Sequence, residues 1–158
     1  MDANLLERIR HRLTPAAAEL PVAHGIPVLA LGASQWLDTA RTLRDEFGFD
    51  MLLDVTAVDW PGQPLRFEVV AHLYSTSDLL RLRLKSRVSE SAPVIASLVP
   101  LYASAAFIER ECHDMFGISF AGNADLRPIL LYEGFVGHPL RKDYPKRREQ
   151  PLVRYRQA

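Results

Sequence analysis

The chain has 158 residues, 19 Lys/Arg against 19 Asp/Glu, and 48% hydrophobic residues. It is long enough for one domain that buries close to ~70% of its unfolded surface. A zero net charge excludes a globally basic nucleic-acid binder, no apolar run approaches the ~20 residues of a membrane span, and one cysteine, Cys112, permits neither an internal disulfide nor a cysteine-ligated cluster.

The opening MDANLLERIRHRL has no apolar signal core and is charged throughout. The expectation is a cytosolic protein, or one attached to the cytosolic side of something. Residues 4–13 place Leu5, Leu6, Ile9 and Leu13 on one helical face, and Pro15 ends that helix. Ala16 to Ala23 reads as irregular. Ile26 to Leu31 is a short apolar strand. Ser34 has the hydroxyl of an N-cap for a helix carrying Trp36, Ala40, Leu43 and Phe47 on one side and ended by Gly48. Three strands follow: Met51 to Asp59, Leu65 to Tyr74 and Leu79 to Val88, the first pair joined through Pro61-Gly62. In the second, Phe67, Val69, Ala71 and Leu73 share a face. In the third, Leu80, Leu82 and Leu84 alternate with Arg81, Arg83 and Lys85, as in a strand buried on one side only. Tight linkers make the three antiparallel neighbours. Residues 93–116 read as helix restarted at Pro100, with Phe107, Ile108, Cys112, Met115 and Phe116 apolar, and Gly117 stops it. The fold class is α+β: two layers, a mainly antiparallel mixed sheet covered by helices on one face, with an extended C-terminal segment. Residues 1–117 form the α+β domain and residues 118–158 an extended docking segment within one domain overall.

The stretch from Glu109 to Asp143, ERECHDMFGISFAGNADLRPILLYEGFVGHPLRKD, organises the rest. Arg110 and Asp114 are four apart and can face each other on one helix side. Gly134, Gly137 and Pro139 forbid regular structure beyond, yet Ile129, Leu130, Leu131, Tyr132, Phe135, Leu140 and Tyr144 argue against a solvated tail. The segment is therefore read as extended and laid on a surface, a partner's included. Arg127 and Arg141 offer planar forks for carboxylates, and His138-Pro139 fixes extended backbone.

Other chemistry is weaker. Glu109 and His113 share a helix face as metal ligands do, with Asp114 beside them, but only His138 is available as a further ligand, at no fixed spacing. Cys112 lies beside Met115 and Phe116 and reads as a buried, inert thiol. No Gly-rich phosphate loop occurs. The basic tail from His138 to Ala158 (Arg141, Lys142, Lys146, Arg147, Arg148, Arg154, Arg156 against Asp143 and Glu149) is short for a nucleic-acid site and reads as solvated. The Arg81, Arg83, Lys85 face could meet a partner, although a solvated sheet face is the plainer reading.

ERECHDMFGI, then a DLR triplet, then GFVGHPLRKDYP resembles the C-type subunit of the proton-pumping NADH–quinone oxidoreductase, respiratory complex I, whose mitochondrial counterpart is the 30 kDa subunit. VDWP (58–61), RFEVVAHL (66–73) and LRLRLKSRV (80–88) are similar to the family in order and spacing. The resemblance covers roughly residues 50–145. Matching its motifs are Glu109, Arg110, Glu111, Asp114, Phe116 and Gly117; Asp125, Leu126 and Arg127; and Gly134, Phe135, Gly137, His138, Pro139, Leu140, Arg141, Lys142 and Asp143.

The resemblance implies a peripheral-arm docking subunit with no catalytic centre, metal or cofactor of its own, on the cytoplasmic side of the cell inner membrane. FMN, iron–sulfur clusters and quinone would belong to partner subunits. It would pack on the large D-type subunit (the 49 kDa type) and neighbouring iron–sulfur subunits, bind no nucleic acid, and reach the membrane only through the complex. Three positions depart from the pattern: His113 where an aromatic is usual, Gly122-Asn123-Ala124-Asp125 where Gly-His-Pro-Asp is usual, and Pro128 where a second basic residue follows Arg127. Related subunits occur in nickel–iron hydrogenases, cofactor-F420 dehydrogenases and chloroplast-type dehydrogenases, which are the alternative readings. A free-standing metal enzyme built on Glu109, His113 and His138 is the rival class.

Overall fold

The computed structural model describes residues 3–14, 17–145 and 147; the basic residues Lys146, Arg148, Arg154 and Arg156 of the expected solvated tail lie outside them. Helix α1 (Ala3–Leu13) turns Leu5, Ile9 and Leu13 inward, as its periodicity requires. Helix α2 (Trp36–Phe47) buries Trp36, Ala40, Leu43 and Phe47, and ends on Gly48 in the left-handed conformation, φ 69°. The expected Ser34 cap is not used. A short 3-10 turn (Ala33–Gln35) precedes α2, and the Gln35 side chain reaches back 3.1 Å to accept from the Gly32 amide.

Strands β2 (Ile26–Leu31), β3 (Met51–Asp59), β4 (Phe67–Ser75) and β5 (Leu80–Val88) stand within two residues of their expected limits. The stretch expected to be irregular forms strand β1 (Ala17–Ala23), which pairs antiparallel with β2. The reason is the His24-Gly25 turn between them, with φ 54° and 75°; two successive positive φ angles match the strand twist and close a hairpin. The sheet order is β1-β2-β5-β4-β3. After β2 the chain crosses by α2 to the far edge and returns as the meander β3-β4-β5, so β5 lies parallel to β2 while every other pair is antiparallel.

Alternation decides which side is covered. Phe67, Val69, Ala71 and Leu73 of β4 and Leu82 and Leu84 of β5 are all buried and join the helices in one apolar cluster. A bulge between Leu52 and Asp54 inserts one residue into the edge strand β3, so Leu52 and Val55 both turn inward although three apart.

The region expected to be one helix over 93–116 is not. Residues Val94–Ala96 form strand β6, which pairs parallel with β7 (Ser119–Ala121), and only Ala105–Phe116 is helical, as α3. Pro93 and Pro100 exclude regular helix there because each lacks an amide and disfavours helical geometry before it. Ile118 and Phe120, just past α3, are core residues.

Leu79, in the β4–β5 turn, is 75% exposed at φ 53°, a conformation that costs a side chain with a Cβ about 1–2 kcal/mol. Leu79→Gly should therefore leave stability unchanged or raise it by up to about 1 kcal/mol, whereas Leu84→Ala at the sheet centre should lower it by about 3 kcal/mol. Urea unfolding of both variants checks this; destabilisation by Leu79→Gly would show that the leucine side chain itself contributes to the fold.

Candidate functional site

Helix α3 carries acidic and basic groups that capture the chain running past it. Asp114 is buried, and its Oδ2 accepts from three consecutive amides, Ile129, Leu130 and Leu131, at 2.8, 3.0 and 3.2 Å. One turn earlier, Arg110 donates from Nε to the Arg127 carbonyl and from Nη2 to the Pro128 carbonyl, at 2.9 and 3.0 Å. Arg110 and Asp114 thus do not pair as expected. They share a face, but the anion takes amides and the cation takes carbonyls of one passing segment, which bends at 129–131 so that its amides converge. An aliphatic pair at these positions would leave five main-chain groups without these partners.

The opposite side of α3 holds Glu109, which is fully buried. It accepts from the Ser97 hydroxyl at 2.8 Å, the Leu98 amide at 2.7 Å and the Asn123 side-chain amide at 3.0 Å. Asn123 also accepts from the Asp125 amide at 3.1 Å. This explains one departure from the family pattern: Asn123 ties the loop to α3 through its own amide. Asp125 in turn receives the Arg127 fork at 2.9 Å on both oxygens.

The end of α3 is fastened by the tail. The Leu140 amide donates to the Met115 carbonyl at 3.1 Å and Arg141 Nε to the Phe116 carbonyl at 2.6 Å. His138 Nδ1 lies 2.9 Å from the Asp114 carbonyl and His113 Nδ1 lies 2.9 Å from the Ile118 carbonyl. A carbonyl only accepts, so both rings carry hydrogen on Nδ1. The two rings meet edge to face with centroids 6.3 Å apart. Gly117 sits beneath them at φ 73°, where an added Cβ would lie 2.5 Å from both Arg141 Nη2 and His138 Nε2. Gly137 is required likewise, since a Cβ there would stand 2.8 Å from the Tyr144 ring.

Beyond Pro139 the tail reaches a second anchor. Arg66, buried, forks onto Asp59 at 2.7 and 2.8 Å and also reaches Glu90 at 2.6 Å and Asp143 at 2.8 Å. The Lys142 amide donates to Asp59 Oδ2 at 2.7 Å. The Arg66 and Arg141 guanidiniums both lie over the Phe67 ring, at 5.1 and 4.9 Å.

The expected forks of Arg127 and Arg141 are therefore engaged within the chain, on Asp125 and on the α3 terminus. Glu109, His113, Asp114 and His138 do not converge. Among the described residues no group of three or more His, Cys, Asp or Glu side chains is placed to hold a metal. Cys112 is buried, and that burial raises its thiol pKa. Glu111 is exposed on α3. Leu126 packs partly on the core. Sequence reasoning missed Asp59, Arg66, Phe67, Ser97 and Asn123; the VDWP and RFEVV stretches held the signal for the first three.

Alongside the exposed Arg127 and Glu133, several apolar side chains point outward. Leu130, Tyr132, Val136 and Leu140 are exposed by 61, 53, 68 and 51%, and Phe107 on α3 by 62%. Single exposed apolar residues are ordinary, but four of these fall within residues 130–140.

Burial pushes the Asp114 carboxyl upward, but the three amides and then His113 bring it below the ordinary range. The Arg66 fork, against a lesser opposing effect of burial, holds Asp59 low. Burial raises Glu109, only partly offset by Leu98, Ser97 and Asn123. Groups held low stabilise the fold above the ordinary carboxylate range, and that stability is lost as pH falls. Glu109 acts in the opposite sense, since the folded chain binds its proton more tightly than the unfolded chain does.

Comparison with known proteins gives a consistent family. The model of the respiratory-chain NADH dehydrogenase 30 kDa subunit matches residues 29–150. The C-type subunit of the NADH-quinone oxidoreductase of Rhodopseudomonas palustris (strain BisB18) is 41% identical over 145 residues, 90% of this chain and 72% of that one. A joint C/D-type subunit from Bdellovibrio bacteriovorus is 46% identical over 108 residues, 68% of this chain and 19% of that one. Among solved structures, a trypsin-resistant fragment of Nqo5 superposes with TM-score 0.66 at 28% identity, covering 78% of this chain and 97% of the fragment. A chain of an archaeal membrane-bound sulfane sulfur reductase superposes with TM-score 0.80 at 23% identity, covering 98% and 95%, and shows the fold alone.

Two outcomes are expected. Asp114→Asn should raise amide exchange at residues 129–131 by about tenfold or more, since a charge-assisted acceptor contributes about 1.5–3 kcal/mol; unchanged exchange would deny the clamp. Glu109→Gln should remove the gain in thermal stability on acidification from neutrality toward about pH 5, leaving the loss below about pH 4; a profile like the parent's would show that the buried carboxyl does not titrate.

Proposed function

Because the chain belongs to the family of the 30 kDa subunit of respiratory-chain NADH dehydrogenase, we propose that it serves that complex as a docking subunit with no reaction centre of its own. The observation that carries this reading is the division of labour in residues 127–141. Their main chain is held by Arg110, Asp114 and the end of α3, while Leu130, Tyr132, Val136 and Leu140 stand outward. A free chain gains nothing from fixing apolar side chains in water. Fixing them before assembly removes ordering entropy that binding would otherwise oppose.

The reading has finer parts. The partner on this strip is a chain of the 49 kDa, D-type class, a choice supported by the existence of a relative that carries the joint C/D name. FMN, iron–sulfur clusters and quinone are held on other chains. The protein sits on the cytoplasmic side of the inner membrane and reaches it through its neighbours; no helix among the described residues is long and apolar enough to cross a membrane. NADH as the electron donor is favoured over a sulfane-sulfur or hydrogenase type of complex because relatives at 41% identity carry the NADH-quinone name. The chemistry available to this chain is positional: Arg66, Arg110 and Asp114 keep the strip rigid, and rigidity of the strip sets the register of whatever packs on it.

Val136→Asp and Leu130→Asp alter only exposed positions, so each should leave the isolated fold intact, with thermal stability changed by less than about 0.5 kcal/mol. In cells each should lower the amount of assembled complex and NADH:quinone reductase activity together, by fivefold or more for the pair combined. Normal assembly with lost turnover would instead place this chain in the reaction, and normal assembly with normal turnover would remove the strip from the interface.

A further inference from the structure

The sheet face away from the helices carries a charge imbalance that the docking strip does not explain. On β5, Arg81, Arg83, Lys85 and Arg87 alternate outward, opposite Tyr74, His72, Val70 and Glu68 of β4. Among the described residues of β3, β4 and β5, two carboxylates share this face, Glu68 and Asp54. Glu68 binds Lys85 at 2.6 Å and Arg87 at 3.3 Å, so its charge is engaged at one end of the row. At the other end, neither Arg81 nor Arg83 has a carboxylate within ion-pair distance among the described residues.

Arg83 is half-buried, with its Nε enclosed by protein and only the rest of its guanidinium left to meet a group from outside. The neighbouring His72 responds to the same surroundings: burial, and next Arg83, hold its pKa below the ordinary value, so it adds no counter-charge and no competing cation at neutral pH. Arg81 continues into a cleft of about 440 Å³ formed with Gly25, Ile26, Tyr74 and Leu79. Leu79, in its unfavourable backbone conformation, stands at the rim.

We propose that Arg81 and Arg83 form a second docking surface, which receives the carboxylate side chains of an acidic segment on a neighbouring protein chain, with an apolar residue of that segment entering the cleft beside Leu79. The Cα atoms of residues two apart on a strand stand about 7 Å from each other, the repeat of alternate side chains in an extended acidic peptide. Planar forks match carboxylates in two-point contacts. The chain's own C-terminus is an unsuitable occupant by charge, since residues 144–158 carry Lys146, Arg147, Arg148, Arg154 and Arg156 against Glu149. A polyanion tracking this face would meet Glu68 and Asp54 after two cations, which argues against nucleic acid. The surface is independent of the strip at residues 127–141, and it rests on the docking reading only in requiring an assembled complex.

The test is arginine modification with phenylglyoxal, read by mass spectrometry, on the isolated chain and on the assembled complex. Arg81 and Arg83 should both react in the isolated chain and be protected at least fivefold in the complex. An Arg83→Lys variant, which keeps the charge and supplies an amine, should give a zero-length carbodiimide crosslink to an Asp or Glu of another subunit. Arg81→Glu/Arg83→Glu should release the complex at lower salt while the isolated chain unfolds at the parent temperature. Equal reactivity in chain and complex overturns the proposal, as does protection without a crosslink that disappears on delipidation or nuclease treatment. Failure of the unaltered chain to co-purify with a complex overturns this proposal and the docking reading together; co-purification with unprotected arginines overturns this one alone.

Discussion

One carboxylate facing three consecutive amides is the constraint on which the lower half of the molecule depends. Asp114 can accept from Ile129, Leu130 and Leu131 only if that stretch bends so that three successive amides converge on one oxygen beside the last turns of α3. Once it does, the carbonyls of Arg127 and Pro128 fall within reach of Arg110. The chain is then aimed so that His138, Leu140 and Arg141 return to the carbonyls at the helix end. Those carbonyls are the groups an α-helix leaves without internal partners. The tail therefore completes the helix, and the helix orders the tail.

A second anchor stops this arrangement from peeling away at its far end. Arg66 is a buried cation whose desolvation is offset by a two-point contact to Asp59 and by Glu90 and Asp143. Removing one member of such a set leaves a buried charge unmatched, which costs about 3–5 kcal/mol. Asp143 and the Lys142 amide both join it, so the tail contributes to the solvation of a group in the body. Segment and domain are coupled through charge at both ends and through limited apolar contact between.

Legibility in the sequence followed the length of each pattern. The meander β3-β4-β5 was readable because Phe67, Val69, Ala71 and Leu73, and then Leu80, Leu82 and Leu84, alternate over whole strands. Helix α2 was readable for the same reason at its own period. Strand β1 was not: AAELPVA has a proline and few β-branched residues, and it is a strand because the His24-Gly25 turn folds it onto β2. Strands β6 and β7 are three residues each, too short for any period, and each is specified by the other across the whole of α3. At the site, the sequence pointed to Arg110, Asp114, Gly117, His138 and Arg141 but not to their partners. Most of those partners are main-chain atoms, which carry no residue identity. Arg141 accordingly offered a fork with no visible acceptor, whereas the partner of Arg127, Asp125, stands two residues away.

That the clamp grips main-chain atoms has a consequence for how such a surface can change through time. Arg110 and Asp114 sense only where the backbone of residues 127–131 runs, and are indifferent to what side chains it bears. Selection can rewrite the outward lettering at Leu130 to match a drifting neighbour without loosening the fastening, so that recognition and attachment evolve as separable traits.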